Sequence, residues 1–290
     1  MRGKIVKLLG GLYTVEHGDV QTVCKAKGIF RKDDEESPVV GDEVEIEFYS
    51  DKDSLITKIY PRQNQLIRPP LANIDILFIV VSTCYPRPNF FVLDRLIAIC
   101  EYKKIEPIIV ITKTDLGDCD ELKKVYTSAG YKVFCVNNNV GVDEEIKKCI
   151  EGKVCAFTGN TGVGKSSLLN NIEKTLNLQT GDISKKLGRG KHTTRHVELF
   201  CVANGYVADT PGFSALETGQ YEQIKKDELQ YCFREFEPYL NKCKFTNCSH
   251  TKEKGCAVLD ANKNGDIKNS RIESYIKMYD EAKNIKEWEK

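Results

Sequence analysis

An excess of charge of one sign, long apolar runs and an export signal are all missing from this 290-residue sequence, and each absence closes off a class of function. Lys and Arg total 43 against 42 Asp and Glu, so net charge gives no general reason to bind nucleic acid or membrane, and any RNA contact must come from local patches. No apolar run approaches the ~18 residues that a bilayer span needs. The opening stretch, MRGKIVKLLGGLYTVEHG, lacks a long apolar segment and a small-residue cleavage site, so the expectation is a cytoplasmic protein with no membrane partner. Nothing in the composition suggests disorder, and the length suits two or three domains with separate cores. Twelve cysteines are present, eight of them scattered from Cys24 to Cys201. Most of these sit in apolar runs, where a reduced thiol behaves as a small hydrophobe and fits a reducing compartment. Cys243, Cys248 and Cys256 are different, because they cluster with His250.

Residues 1–62 contain five short β-rich runs, IVKLL, LYTVE, VQTVCKA, VEIEF and LITKIY, separated by glycine, acidic and Ser-Asp turns. So small a sheet hides its edges best by closing, which predicts an OB-type barrel. Residues 63–72 hold two prolines and little periodicity and read as a linker. The pattern then changes. IDILFIVVS is a continuous apolar run suited to a strand buried on both faces, and strands and helices alternate from there, predicting a doubly wound α/β domain over 73–217. Beyond it the strand signal disappears. KKDELQYCFREFEPYL is amphipathic, and Ile272, Tyr275, Ile276, Tyr279, Ala282 and Ile285 form one helical stripe, so 218–290 is read as a helical domain around the Cys/His cluster.

GNTGVGKSS, residues 159–167, fits G-x-x-x-x-G-K-[ST] between a predicted strand and a predicted helix, the context that gives this motif its meaning. Backbone N–H groups of Gly159, Asn160, Thr161, Gly162, Val163 and Gly164 would turn in on a β-phosphate. Lys165 would add charge on the β and γ oxygens, the Ser166 hydroxyl would ligate Mg²⁺, and Ser167 continues the helix start. VADTPG supplies Asp209 and Gly212, 44 residues past Lys165. This D-x-x-G would act on Mg²⁺ through water and on the γ-phosphate through the Gly212 N–H. TKTD, residues Thr112, Lys113, Thr114 and Asp115, ends a predicted buried strand, where ligands of such sheets bind. Asp115 can accept both guanine N1–H and N2–H₂, a donor pair that adenine lacks, so GTP is expected over ATP and an ATP-dependent metabolic enzyme is disfavoured. Lys113 would lie over the base. Thr112 stands where Asn is usual. KKLGRGKHTTR (185–195) occupies the place of a first switch, where Thr193 or Thr194 would ligate Mg²⁺, and its five basic residues could instead meet RNA phosphates.

The base-reading loop therefore precedes the phosphate loop, the reverse of Ras. Joining the end of a Ras-like domain to its start, and cutting before the strand that precedes the base-reading helix pair, yields this order without moving a strand in space.

With NQLIRPPLANID, GNTGVGKSSLLN, GRGKHTTR, DTPGF and CKFTNCSHTKEKGCAV in that order, nearly the whole chain resembles the bacterial small-subunit-dependent GTPase family RsgA (YjeQ, YloQ). The resemblance implies a multidomain fold: OB barrel, circularly permuted GTPase domain and C-terminal zinc-binding domain. It also implies GTP hydrolysis stimulated by the small ribosomal subunit, contact with its rRNA, a role in late subunit maturation, and action as a monomer. The family's zinc ligands map onto Cys243, Cys248, His250 and Cys256 in C-x₄-C-x-H-x₅-C spacing. That set would close a tetrahedral structural Zn²⁺ site, one per chain, with no open position. Two departures stand out. Phe213 replaces the water-orienting Gln of Ras, so intrinsic hydrolysis should be slow and another group, with His192 and Gln220 as candidates, must place the water. Asn137 to Asn139 stand where a second guanine loop usually reads Ser-Ala. The competing expectation is an RNA-binding scaffold that holds GTP or GDP with little turnover.

Overall fold

The computed structural model describes residues 1–31, 37–50, 53–137, 144–173, 197–209 and 222–284. The chain divides into two compact units, one made of Met1–Leu77, Val142–Phe157 and Lys165–Phe213, the other of Phe78–Gly141, Thr158–Gly164 and Ser214–Lys290.

In the first unit, β1 (Arg2–Leu9), β2 (Leu12–His17), β3 (Val20–Ala26), β4 (Glu43–Ser50) and β5 (Asp53–Ile59) run in the order β1-β2-β3-β5-β4, and β4 returns to pair with β1. This is the closed five-stranded barrel expected from the turn spacing. Its interior is filled by Ile5, Val15, Cys24, Val44, Ile46 and Ile56, all buried. The proline-bearing connector after the barrel is itself ordered. β6 (Gln65–Leu66) and β7 (Leu71–Ala72) pair antiparallel, and Leu66 and Leu71 are buried. Arg62 grips the buried Asp42 at 2.7 and 2.8 Å, and Asn64 exchanges side-chain bonds of 2.8 and 2.9 Å with the main chain of Ile74. A segment with little periodicity thus gains its order from side chains that satisfy main-chain groups.

The same unit carries α3 (Glu144–Ile150), β11 (Val154–Thr158), α4 (Lys165–Ile172), β12 (Val197–Val202) and β13 (Gly205–Asp209). β13 lies between a parallel β11 and an antiparallel β12, and β12 pairs in turn with barrel strand β1, Lys7 opposite Glu198 and Leu8 opposite Val197. Lys7 Nζ meets the Glu198 carboxylate at 3.0 Å, and the Tyr206 hydroxyl donates to Glu16 of β2.

In the second unit, most of β8 (Ile76–Ser82), β9 (Glu106–Thr112) and β10 (Lys132–Cys135) lie in the order β10-β9-β8, flanked in sequence by α1 (Phe90–Lys103) and α2 (Asp120–Ser128). Phe78, Ile79 and Val80 are buried in succession, as are Ile108 to Ile111, the signature of strands covered on both faces. The amphipathic stretch 225–240 is not one α-helix. It forms two 3-10 helices, Leu229–Cys232 and Arg234–Tyr239, separated by an extended Phe233 (φ −125°, ψ 99°), with Pro238 inside the second. α5 (Ala257–Asn264) and α6 (Asn269–Lys283) follow. Phe233, Phe236, Val258, Ile272 and Tyr275 form a core that also takes in Ala98 of α1. Among the described residues, no helix is long and apolar enough to cross a membrane.

Candidate nucleotide site and metal centre

The phosphate-loop backbone is built around glycine. A Cβ on Gly159, at φ +150°, would lie 2.2 Å from the Val80 carbonyl oxygen, so β8 and the loop pack main chain against main chain there. Gly162 and Gly164 take φ of +83° and +98°, conformations that other residues adopt only with strain. Val163 is buried and anchors the loop, whereas Thr161 at the apex is exposed.

The end of β9 reaches this loop. Thr112 is fully buried, and its hydroxyl lies 2.5 Å from the Val163 carbonyl and 3.1 Å from that of Val81, with one proton to share between them. The loop-tying task of the usual Asn is therefore taken by a hydroxyl that reaches main-chain acceptors. Lys113, at φ 58°, directs Nζ onto the Gly162 carbonyl at 2.7 Å and onto the Tyr85 carbonyl. Thr83 Oγ donates to the Lys113 carbonyl at 2.6 Å, and Gly117 packs against Thr83. Thr114 is half-buried in the turn and Asp115 is exposed beyond it. Thr112, Lys113 and residues 159–164 are thus brought together, with Ser82, Thr83 and Tyr85 joined to them. Tyr85 acts through its carbonyl, which any residue carries, so no sequence signal marked it.

Lys165, Ser166 and Ser167 open α4 in the other unit, each half-buried. Burial pushes the Lys165 ammonium down to about 8, an environment in which a polyanion would be strongly favoured. Asp209 ends β13. Thr193, Thr194, Gly212, Phe213, His192, Gln220, Asn138 and Asn139 lie outside the described residues. Asn137 follows β10 and Val136, whose N–H binds the Ile111 carbonyl at 2.8 Å.

The ligand atoms of Cys243, Cys248, His250 and Cys256 all lie within 4.8 Å of one another. Cys243 Sγ is 3.9 Å from Cys256 Sγ, and His250 Nδ1 is 3.5 and 3.3 Å from those two sulfurs. His250 Nε2 faces Gln230 Oε1 at 3.0 Å, which fixes the proton on Nε2 and leaves the Nδ1 lone pair toward the thiols. Burial lowers the proton affinity of the ring. The Ala257 and Leu259 N–H groups donate to Cys243 and Cys256 sulfur at 3.4 and 3.5 Å, bonds that would help to carry thiolate charge on a bound metal's ligands. Glu253 organises the loop by accepting from Ser249 and from the N–H groups of Thr251 and Lys252. Against the upward push of burial, these bonds hold its carboxyl down at about 2. Gln230 and Glu253 were not singled out from sequence. The four-residue cluster can hold a metal ion.

A phosphate loop after a buried strand, clamped by a Lys-x-Asp loop that comes earlier in the chain, defines a guanine-nucleotide P-loop protein of permuted order. The family models for the RsgA N-terminal domain and the RsgA GTPase match residues 2–56 and 59–219, and the chain belongs to the RsgA GTPase family. It is 44% identical to the small ribosomal subunit biogenesis GTPase RsgA 2 of Oceanobacillus iheyensis over 98% of each chain. With the small ribosomal subunit biogenesis GTPase RsgA of Clostridium beijerinckii it shares 40% identity over 97% of each. Among solved structures it is similar to YloQ, a circularly permuted GTPase, with a TM-score of 0.77, 36% identity and coverage of 98% of this chain and 96% of that one. YjeQ from Thermotoga maritima gives a TM-score of 0.81 at 33% identity, covering 98% and 99%.

Proposed function

We propose that this GTPase acts on the small ribosomal subunit in the cytoplasm, assisting its late maturation as a monomer that contacts rRNA, with hydrolysis stimulated by the subunit. The end-to-end match to relatives named for small-subunit biogenesis carries this reading. At the site, Gly159 to Ser167 cradle the phosphates, and Lys165 charges the β and γ oxygens. Ser166, with Thr193 or Thr194, and Asp209 would hold the Mg²⁺ that accompanies the nucleotide. Gly212 senses the γ-phosphate, and Asp115 and Lys113 read guanine. Mg²⁺ would neutralise charge developing between the β- and γ-phosphates. The domains implied are a barrel over 1–62, a linker over 63–72, the GTPase over 73–217 and a metal-binding domain over 218–290.

The metal is proposed to be a single structural Zn²⁺. Ligand bonds of about 2.3 Å to sulfur and 2.0–2.1 Å to nitrogen give tetrahedral edges of about 3.8 Å between sulfurs and about 3.5 Å from sulfur to nitrogen. The distances of 3.9, 3.5 and 3.3 Å match that cage, and four protein ligands leave no open position for catalysis.

GTP turnover measured alone, with purified small subunits and with large subunits tests the reading. Acceleration by small subunits only is expected. Because Phe213 cannot orient a water, a second reading is a scaffold that holds nucleotide without useful turnover, and it wins if no subunit accelerates hydrolysis while the protein still binds RNA.

A further inference from the structure

We propose that Arg87 is a catalytic residue of this chain, an arginine supplied in cis to the phosphates of GTP. The inference rests on the GTPase reading of the site and deepens it. A phosphoryl-transfer site needs positive charge near the β–γ bridge as the bond breaks, and an arginine is the usual source beyond the P-loop lysine and Mg²⁺. Here the need is greater, because Phe213 replaces the residue that would position water.

The segment that follows β8, Cys84-Tyr85-Pro86-Arg87-Pro88-Asn89, lies against the phosphate loop. Lys113 joins the Tyr85 carbonyl to the Gly162 carbonyl at the loop's apex. A Cβ on Gly162 would stand 3.8 Å from Pro86 Cδ, and Arg87 lines a cavity between the apolar side of β8 and α1 (Val80, Leu93) and Gly159, Asn160 and Val163 of the loop. The arch is stiff. Pro86 has its own φ locked, Pro88 restricts Arg87 to extended backbone, the Ser82 hydroxyl donates to the Pro86 carbonyl at 2.7 Å, and the Asn89 side chain caps α1. Arg87 is therefore carried on a fixed support next to the phosphate loop.

Its charge is also uncommitted. Arg2, Arg62, Arg95, Arg234 and Arg271 each pair with a carboxylate, and Arg68 has a partner as well. Arg87 is exposed and, among the described residues, has no hydrogen-bond or ion-pair partner. An exposed arginine far from any site is ordinarily a solubilising charge; one fixed between two prolines and sharing a cavity with Gly159, Asn160 and Val163 of the phosphate loop is available to an anion bound there. Its planar fork can contact the bridging oxygen and a γ-oxygen together, and it matters most when charge gathers there.

The test compares wild type, Arg87→Ala and Arg87→Lys in single-turnover GTP hydrolysis, in GDP affinity and in binding of GDP with aluminium fluoride, a planar mimic of the transferring group. Arg87→Ala is expected to slow hydrolysis by about a thousandfold or more, leave GDP affinity within about threefold and abolish the aluminium fluoride complex. Arg87→Lys should restore little, because a point charge cannot bridge two oxygens. Unchanged hydrolysis in Arg87→Ala beside an active wild type overturns the inference while leaving the GTPase reading intact. So does a loss of hydrolysis matched by an equal loss of GDP affinity, which would make Arg87 a ground-state binding residue. An inactive wild type that binds no GTP would instead overturn the reading on which it rests.

Discussion

In the proposed nucleotide site, Asp115 and Lys165 would carry the two charges that set nucleotide choice and affinity, and each makes a separate demand. Asp115→Asn replaces an acceptor of two N–H groups by an amide with one acceptor and one donor. That pattern no longer suits guanine but matches xanthine, whose position 2 bears a carbonyl. GTP affinity should fall by about a hundredfold or more while XTP affinity rises, as read by competition against a fluorescent nucleotide. Lys165 has its free-protein value pushed to about 8 by burial, and bound phosphates would raise it. Binding therefore takes up a proton at pH above about 8, so affinity is full below that value and declines above it. GDP titrations at pH 7 and pH 9.5 should differ roughly tenfold or more, and a flat profile in that window would remove Lys165 from the phosphates. Thr112→Val leaves the Val163 and Val81 carbonyls without their buried donor. It should cost about 1–3 kcal/mol in chemical denaturation, with nucleotide affinity reduced through the loosened loop. The phosphate loop was legible in the sequence because its chemistry requires glycine. The contribution of Tyr85 was not, because a main-chain carbonyl leaves no mark on residue type.

Elements were readable in proportion to how fully one physical pattern governed them. β8 and β9 announce themselves as unbroken apolar runs because both faces are covered, and the five barrel strands show between turn residues. The stretch 225–240 has helical amphipathicity but folds as two 3-10 turns, since packing Phe233 and Phe236 into one core around Tyr275 is served by a break that periodicity does not reveal. Helix α6 shows the other limit. Its apolar stripe was visible, yet its most consequential residue is the polar Arg271, 1% exposed. The guanidinium binds Asp94 of α1 at 2.6 Å and Glu235 at 2.6 and 3.2 Å and stacks 4.5 Å from the Phe233 ring centre. Asp94 also accepts from Tyr126 of α2 at 3.0 Å. One side chain thus holds α1, α6 and the 3-10 segment in register, which no single-element pattern can signal. Arg271→Met leaves two buried carboxylates facing each other without a cation. A loss of about 3–5 kcal/mol is expected in urea denaturation, and a change below about 1 kcal/mol would show that the triad carries no net stability.

At the scale of the molecule, two devices replace size as a source of order. The C-terminal core is small, and its Cys/His cage is wrapped by the loop that Glu253 organises, so metal binding and folding of that region should be one process. Cys248→Ala, or chelation of the wild type, should lower zinc content from about one per chain. Chelation should also melt 243–256 while the barrel keeps its β-sheet circular dichroism; a metal-free wild type with that region protected from proteolysis would rule this out. The second device is the ladder between β1 and β12. It makes the N-terminal barrel the cover of a strand edge on the strand that leads into β13 and Asp209. A chain trimmed to begin at residue 59 would keep every nucleotide-binding motif and still present β12 as a bare row of main-chain donors and acceptors, a template for pairing with its own copies. Such a truncated protein should aggregate or dimerise more than the full-length chain in sedimentation experiments, since Val197 and Glu198 would lose their β1 partners; equal behaviour of the two would show that the barrel does not protect this edge.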